Sequence, residues 1–299
     1  MTATPGLAML APMQLILISG LSGSGKSIAL NVLEDAGYYC VDNLPAALLQ
    51  QLVQQLSDEG YGFVGVAVDM RGGASIAGLP AQLRDLSKQG IDSRFIFLDA
   101  RDDVLIQRFS ETRRRHPLAE QNPTLAEAIV REREGLETIA SLGHHIDTSN
   151  LRPNALRGFV KDFVTLHTQA PGTALILLFE SFGYKHGLPL DADLVFDVRC
   201  LPNPHYDPEL RALTGRDAAV VEFLQAQAEV VRMQEDIRRF IADWLPAYVR
   251  DSRAYLSVAV GCTGGQHRSV YLVEYLANHF RDLTSSATQV LVRHRALPD

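Results

Sequence analysis

One segment, Gly20-Leu21-Ser22-Gly23-Ser24-Gly25-Lys26-Ser27, constrains this chain more than any other. It fits GxxxxGK[ST], a pattern that works only with a strand before it and a helix after it. Its glycines let the backbone wrap closely around phosphate oxygens and present N–H groups at a helix N-terminus. In that pattern Lys26 neutralises the outer phosphates and Ser27 offers a hydroxyl to Mg²⁺. The flanks agree. Residues 13–19 are a short apolar run that predicts a buried strand, and residues 26–36 predict a helix stopped by Gly37.

Beyond this start, strands and helices alternate. A strand is expected over 38–41, a helix over 45–56, a strand over 62–68, a helix over 80–88 and a strand over 94–98. Residues 103–142 read as helical, interrupted at His116-Pro117 and Asn122-Pro123, and 145–147 as a short strand. Such alternation implies a parallel sheet covered on both faces. The composition breaks at residues 169–173, a plausible linker. After it come strands over 174–179 and 194–198, helix over most of 218–249, a strand over 255–260, a helix over 267–280 and a strand over 289–292.

A chain of 299 residues is long enough for two domains. The expected fold is therefore α/β: a kinase-like P-loop NTPase sheet domain over residues 1–170, then a second α/β domain over 171–299 with an anion loop of the sugar-phosphate type. The net charge of −7 argues against a protein wholly devoted to nucleic acid, although a local basic patch is compatible with it. Three cysteines, Cys40, Cys200 and Cys262, are too few for a disulfide framework and too dispersed for a zinc pattern. The start lacks a basic signal-peptide region, and no apolar run approaches the roughly 18 residues of a membrane helix. A cytoplasmic protein is expected.

Two aspartates, Asp69 and Asp99, close strands where a Mg²⁺-associated carboxylate would sit. Asp69 is favoured because Arg71 follows two residues later, where it could meet phosphate or base. Arg113-Arg114-Arg115, read as lying on a helix before a proline break, fit either a mobile phosphate-closing lid or a solvated basic face. A second anion loop, Cys262-Thr263-Gly264-Gly265-Gln266-His267-Arg268-Ser269, fits C-x5-R-[ST]. There a strand ends, N–H groups turn inward, a helix begins and Arg268 can grip two oxygens. Phosphate binding explains every one of these residues. Asp197 and His205, after a strand end in the same half, are placed to read a sugar's hydroxyls or amine. A small-molecule kinase, and a phosphatase working through Cys262, are the competing enzyme classes; the cysteine would need a general acid, and Gly261 stands where such phosphatases carry histidine.

Several blocks in fixed order resemble the RapZ/YvcJ family: the P-loop, Asp69-Met70-Arg71-Gly72, Glu180-Ser181-Phe182-Gly183-Tyr184-Lys185, residues 191–199, residues 201–206 and the Cys262 loop. The resemblance implies ATP binding at Gly20–Ser27, GTP binding at Asp69, Met70, Arg71 and Gly72, and weak hydrolysis with Mg²⁺. It also implies a C-terminal domain that senses glucosamine-6-phosphate, assigned to His205, Cys262, Thr263, Gly264, Gly265, His267, Arg268 and Ser269. Its best-known members bind a small RNA and present it to an endoribonuclease, using a lysine- and arginine-rich C-terminal end. Here the cationic candidates for RNA are Arg281, Arg293 and Arg295, with His279 and His294 beside them, and no lysine follows Lys185. Four or five positive groups predict weak RNA binding that disappears with salt. A homo-oligomer is expected.

Overall fold

The computed structural model describes residues 13–69, 76–119, 124–169, 175–250, 255–283 and 288–297. Strand β1 (Gln14–Gly20) is buried along its whole length, as expected of a central strand covered on two faces. It pairs in parallel with β3 (Phe63–Val68) on one side and β4 (Asp92–Asp99) on the other. With β2 (Tyr39–Leu44) and β5 (His144–Asp147) the order is β2-β3-β1-β4-β5. The helices between them are α1 (Lys26–Asp35), α2 (Leu49–Asp58), α3 (Leu79–Lys88), α4 (Asp102–Thr112), α5 (Leu125–Ala140) and α6 (Pro153–Gln169).

Local chemistry explains the boundaries. Helix α5 starts in a capping box, in which Thr124 and Glu127 satisfy each other's backbone N–H groups. Strand β2 runs past the expected Val41 to Leu44, with a register shift beside Asn43, whose φ of 55° is tolerated by that residue type. A 3₁₀ turn, Ala46–Leu48, then precedes α2 where a single helix was expected. Helix α6 was not expected at all. Its buried residues Leu156, Phe159, Val160 and Phe163 recur at helical spacing, and Pro153 suits a first turn.

The second sheet has the order β7-β8-β6-β9, formed by β6 (Leu175–Gly183), β7 (Leu194–Asp197), β8 (Tyr255–Cys262) and β9 (Thr288–His294), all parallel. Helices α7 (Ala218–Gln225), α8 (Ala228–Arg250) and α9 (Arg268–Leu283) accompany it. Phe179, Val258, Val260, Leu272, Leu276 and Phe280 lie in its core. Strand β6 runs beyond the expected Phe179 to Gly183, which carries Glu180 into the interior at no exposure.

By contacts, one compact unit takes in the chain through Leu98 together with Leu105–Leu142, and the other Asp99–Val104 with Gly143–Asp299. Among the described residues no helix is long and apolar enough to cross a membrane.

Candidate functional site

The first site is built where β1 ends. Gly20, Gly23 and Gly25 have φ of 136°, 86° and 110°, conformations that L side chains rarely adopt. At Gly20 there is no room either, because a Cβ would lie 2.0 Å from the Leu98 carbonyl oxygen. Leu21 N–H donates to that oxygen at 3.1 Å, and Ser24 N–H turns back to Leu21 O at 3.1 Å. Helix α1 follows with no side-chain cap and no acidic residue in its first turn, so its N-terminal partial charge is not neutralised from within. Lys26 Nζ donates to Gly20 O at 2.6 Å, folding the ammonium over the loop, and Ser27 is exposed.

Asp69 follows β3, the strand paired with β1, and is buried. Met70, Arg71 and Gly72 lie outside the described residues. The Asp99 carboxylate is engaged locally: Ala100 N–H donates to Oδ1 at 2.7 Å, and Oδ2 lies 3.2 Å from His145 Nε2. That is the cap that a strand-ending aspartate commonly forms. The Arg113-Arg114-Arg115 run does not lie on a helix. Helix α4 ends at Thr112, Arg113 has φ of 51°, and all three side chains are exposed.

Sequence reasoning missed the residues that hold this loop from the side. On α5, Glu132 is almost wholly buried. Its Oε2 accepts the Ser22 N–H at 2.9 Å and its Oε1 accepts the Ser22 hydroxyl at 2.8 Å. His116 Nε2 lies 3.1 Å from Oε2. Burial opposes ionisation of Glu132, yet the His116 bond, the nearby Lys26 charge and the two Ser22 donors hold its carboxyl below the ordinary carboxylate range. From α4, Arg108 Nη1 donates to Gly23 O at 3.0 Å, and Phe109 and Leu105 pack where a Gly23 Cβ would point.

The second site is built where β8 ends. Cys262 is its last residue and is buried; Gly265 N–H donates to the sulfur at 3.2 Å, and Ser269 Oγ lies 3.2 Å away. Burial pushes the thiol up, but the Ser269 and Gly265 hydrogen bonds and the Arg268 charge bring it below its ordinary value. Arg268 differs from the expected free fork. Its Nη1 donates to the carbonyls of Arg199 and Leu201, both at 2.8 Å, while its buried Nε has no partner. Buried His267 also keeps Nε2 unpartnered, and burial followed by the His205 charge lowers its pKa. His205 is exposed, with its ring centroid 6.3 Å from that of His267.

Strand β6 presses against this loop, since a Cβ on Gly183 would lie 2.7 Å from the Gly264 backbone. The turn after β6 brings Lys185, whose Nζ lies 3.9 Å from where a Gly264 Cβ would stand. Asp197 is taken by Arg199, which donates to both carboxylate oxygens and stacks 3.9 Å over the Tyr184 ring. Lys185, Tyr184 and Arg199 were therefore missed as members of this site.

Two of the three arginines expected to meet RNA are structural. Arg293 Nη1 donates to Asp191 at 3.1 Å and lies 3.8 Å from Glu180, its partner in the β6–β9 register. Arg295 Nη2 donates to Asp147 at 2.7 Å and its Nη1 to Asp191 at 3.2 Å. Their side chains are 7% and 6% exposed, too little to reach a phosphate backbone. His294 is held by Ser181 and Glu274. Of the three, only Arg281 is exposed.

This is an α/β chain with two glycine-containing loops, each set between the end of a parallel strand and the start of a helix. Residues 13–168 match the RapZ-like N-terminal domain, and residues 175–298 the RapZ C-terminal domain. The chain belongs to the RapZ family. A protein of an Azoarcus species named nucleotide-binding protein is 64% identical over 284 residues, covering 95% of each chain. One of Nitrosomonas europaea, of the same name, is 61% identical over 287 residues, covering 96% of this chain and 97% of its own. Among solved structures, a Janibacter sugar kinase covers 53% of this chain and 95% of its own at 16% identity. A Sinorhizobium meliloti gluconokinase covers 54% and 98% at 18% identity. Both have a TM-score of 0.34.

Proposed function

We propose that this chain is a regulatory nucleotide-binding protein, with ATP and GTP held by its N-terminal half and an amino-sugar phosphate such as glucosamine-6-phosphate sensed by its C-terminal half. The observation that carries the first part is the loop Gly20–Ser27, with three left-handed glycines between a buried strand and an uncapped helix. Backbone N–H groups aimed at one point hold a phosphate without help from side-chain shape. In this reading Lys26 leaves Gly20 O for the outer phosphates. Mg²⁺ carried on those phosphates takes the Ser27 hydroxyl, which suits a cation that keeps most of its waters. The segment Asp69-Met70-Arg71-Gly72 is assigned to GTP, and hydrolysis is slow.

For the second part, support comes from the N–H groups around Cys262, the start of α9, the ammonium of Lys185 and the unpaired Nε of Arg268. His205, Thr263, Gly264, Gly265, His267 and Ser269 complete the assigned set. The lowered thiol of Cys262 favours a phosphatase as second reading. Against it stands Gly261, where a Cβ would lie 2.4 Å from the Phe182 ring, so the histidine of that chemistry has no space. The RNA adapter role, with an endoribonuclease as partner, retains Arg281 but has to find its remaining cationic surface away from Arg293 and Arg295. A homo-oligomer, the cytoplasm and a division near residue 171 complete the proposal.

A thermal-shift series with ATP, GTP and glucosamine-6-phosphate tests it. A ligand that binds only the folded state stabilises it by mass action, by about 2.7 kcal/mol at a hundredfold excess over Kd, and so raises the midpoint. No shift with either nucleotide sinks the first part; no shift with the sugar phosphate sinks the second.

A further inference from the structure

Glu132, with His116 against it, is a buried carboxylate fastened to the phosphate loop. An ionised carboxylate with 2% of its side-chain surface exposed is costly unless it is compensated. Here compensation comes from the phosphate loop itself. Ser22 gives both its N–H and its hydroxyl, His116 lies against the second oxygen, and Lys26 stands close enough to lower the carboxyl's pKa. Two consequences follow from general electrostatics. The carboxylate fixes the first half of the loop at Ser22, immediately before left-handed Gly23. It also places a negative charge beside the ammonium that would meet the outermost phosphate.

We infer that Glu132 is a positioning residue whose buried charge sets which phosphate chain length the loop prefers, weighting it toward nucleoside diphosphate over triphosphate. The inference rests on the nucleotide reading of Gly20–Ser27 and deepens it. A triphosphate carries one more negative charge than a diphosphate, with or without Mg²⁺. A fixed anion near Lys26 therefore penalises the triphosphate more. Replacing it by a glutamine amide lifts that extra penalty; the amide oxygen still accepts the Ser22 N–H, and the NH2 group donates to the Ser22 hydroxyl in place of accepting from it. A screened interaction of one unit charge with one other, on the order of that of a surface pair, corresponds to roughly a fivefold change in relative affinity.

The test is calorimetric titration of the full chain with MgATP and MgADP, comparing wild type with Glu132→Gln. The expected result is an ATP-to-ADP affinity ratio about fivefold higher in Glu132→Gln, with ATP itself bound more tightly than by wild type. A residue that only props up the loop would lose both ligands in parallel, and that outcome overturns the inference, as does an unchanged ratio. His116→Gln keeps the Glu132 charge, so its ratio should stay at the wild-type value; a shift as large as that of Glu132→Gln would also overturn it. Should the glutamine variant fail to fold, Glu132→Met, uncharged and of similar volume, reads the same ratio. Failure of both to fold makes Glu132 a structural anchor and ends the proposal. Wild type binding neither ligand sinks the nucleotide reading itself, whereas wild type binding both with an unresponsive ratio sinks only the inference.

Discussion

Replacing Glu180 by Gln would remove one ionisable group from the middle of a buried cluster and leave its shape intact. Three carboxylates, Glu180, Asp191 and Asp147, share two arginines there, Arg293 and Arg295. The arginines make their hydrogen bonds to the two aspartates, and both oxygens of Glu180 lack a hydrogen-bond partner. Burial and then the Asp191 charge raise the Glu180 carboxyl to about 7, against an ordinary 4.5. A carboxyl that titrates higher when folded holds its proton better in the folded state. Its contribution is therefore complete below about pH 4.5 and is lost as pH rises to about 7. At 1.36 kcal/mol per pH unit the loss is about 3 kcal/mol, or about 6–12 °C for a unit of 150–250 residues. His144, lowered to about 3 by burial, and Asp147, held low despite burial by Arg295 and Ser149, are common to both proteins and cancel in the difference. Thermal melts of wild type and Glu180→Gln from pH 5 to pH 8 should diverge, with the variant gaining as pH rises. Parallel curves would refute the reasoning.

Three further outcomes are expected. Arg293→Met leaves Glu180, Asp191 and Asp147 to share Arg295 alone and should cost about 3–5 kcal/mol in denaturant unfolding, while RNA retention per folded molecule stays unchanged. Cys262→Ser should keep its glucosamine-6-phosphate affinity within about twofold by calorimetry, because binding uses the loop's N–H groups and not a nucleophile, whereas Lys185→Ala should lose about tenfold, as a lost charged hydrogen bond does. Phosphate release that disappears in Cys262→Ser would instead make the second site a phosphatase. RNA retained at low salt should be released at physiological salt, as few neutralised phosphates imply.

What was legible in the sequence was local. The P-loop and the Cys262 loop each announce themselves by a short apolar run, a glycine turn and a helix start, and the strand–helix alternation gave both parallel sheets. Helix α6 is marked in the sequence as well, since Leu156, Phe159, Val160 and Phe163 form a face at helical spacing. Glu132 was not legible, because its partner Ser22 lies 110 residues away and nothing near Glu132 signals a loop. Arg293 and Arg295 misled for the same reason. Near the end of a chain, arginines look like a basic surface until the strand register sets Arg293 opposite Glu180 and brings Asp147 and Asp191 from elsewhere. The Arg268 fork likewise looked free until the carbonyls of Arg199 and Leu201 were found occupying Nη1.

The most direct test of the account is a titration of wild type and Lys26→Ala with MgATP and MgGTP, alongside their melting curves. Lys26 is half-buried and its ammonium donates to Gly20 O on the loop, so truncation leaves no cavity in the core. Wild type should bind both nucleotides, and Lys26→Ala should melt with wild type when ligand-free yet show no productive binding of either. Equal ATP binding and hydrolysis by the two proteins would contradict the assignment of Gly20–Ser27 as the nucleotide site.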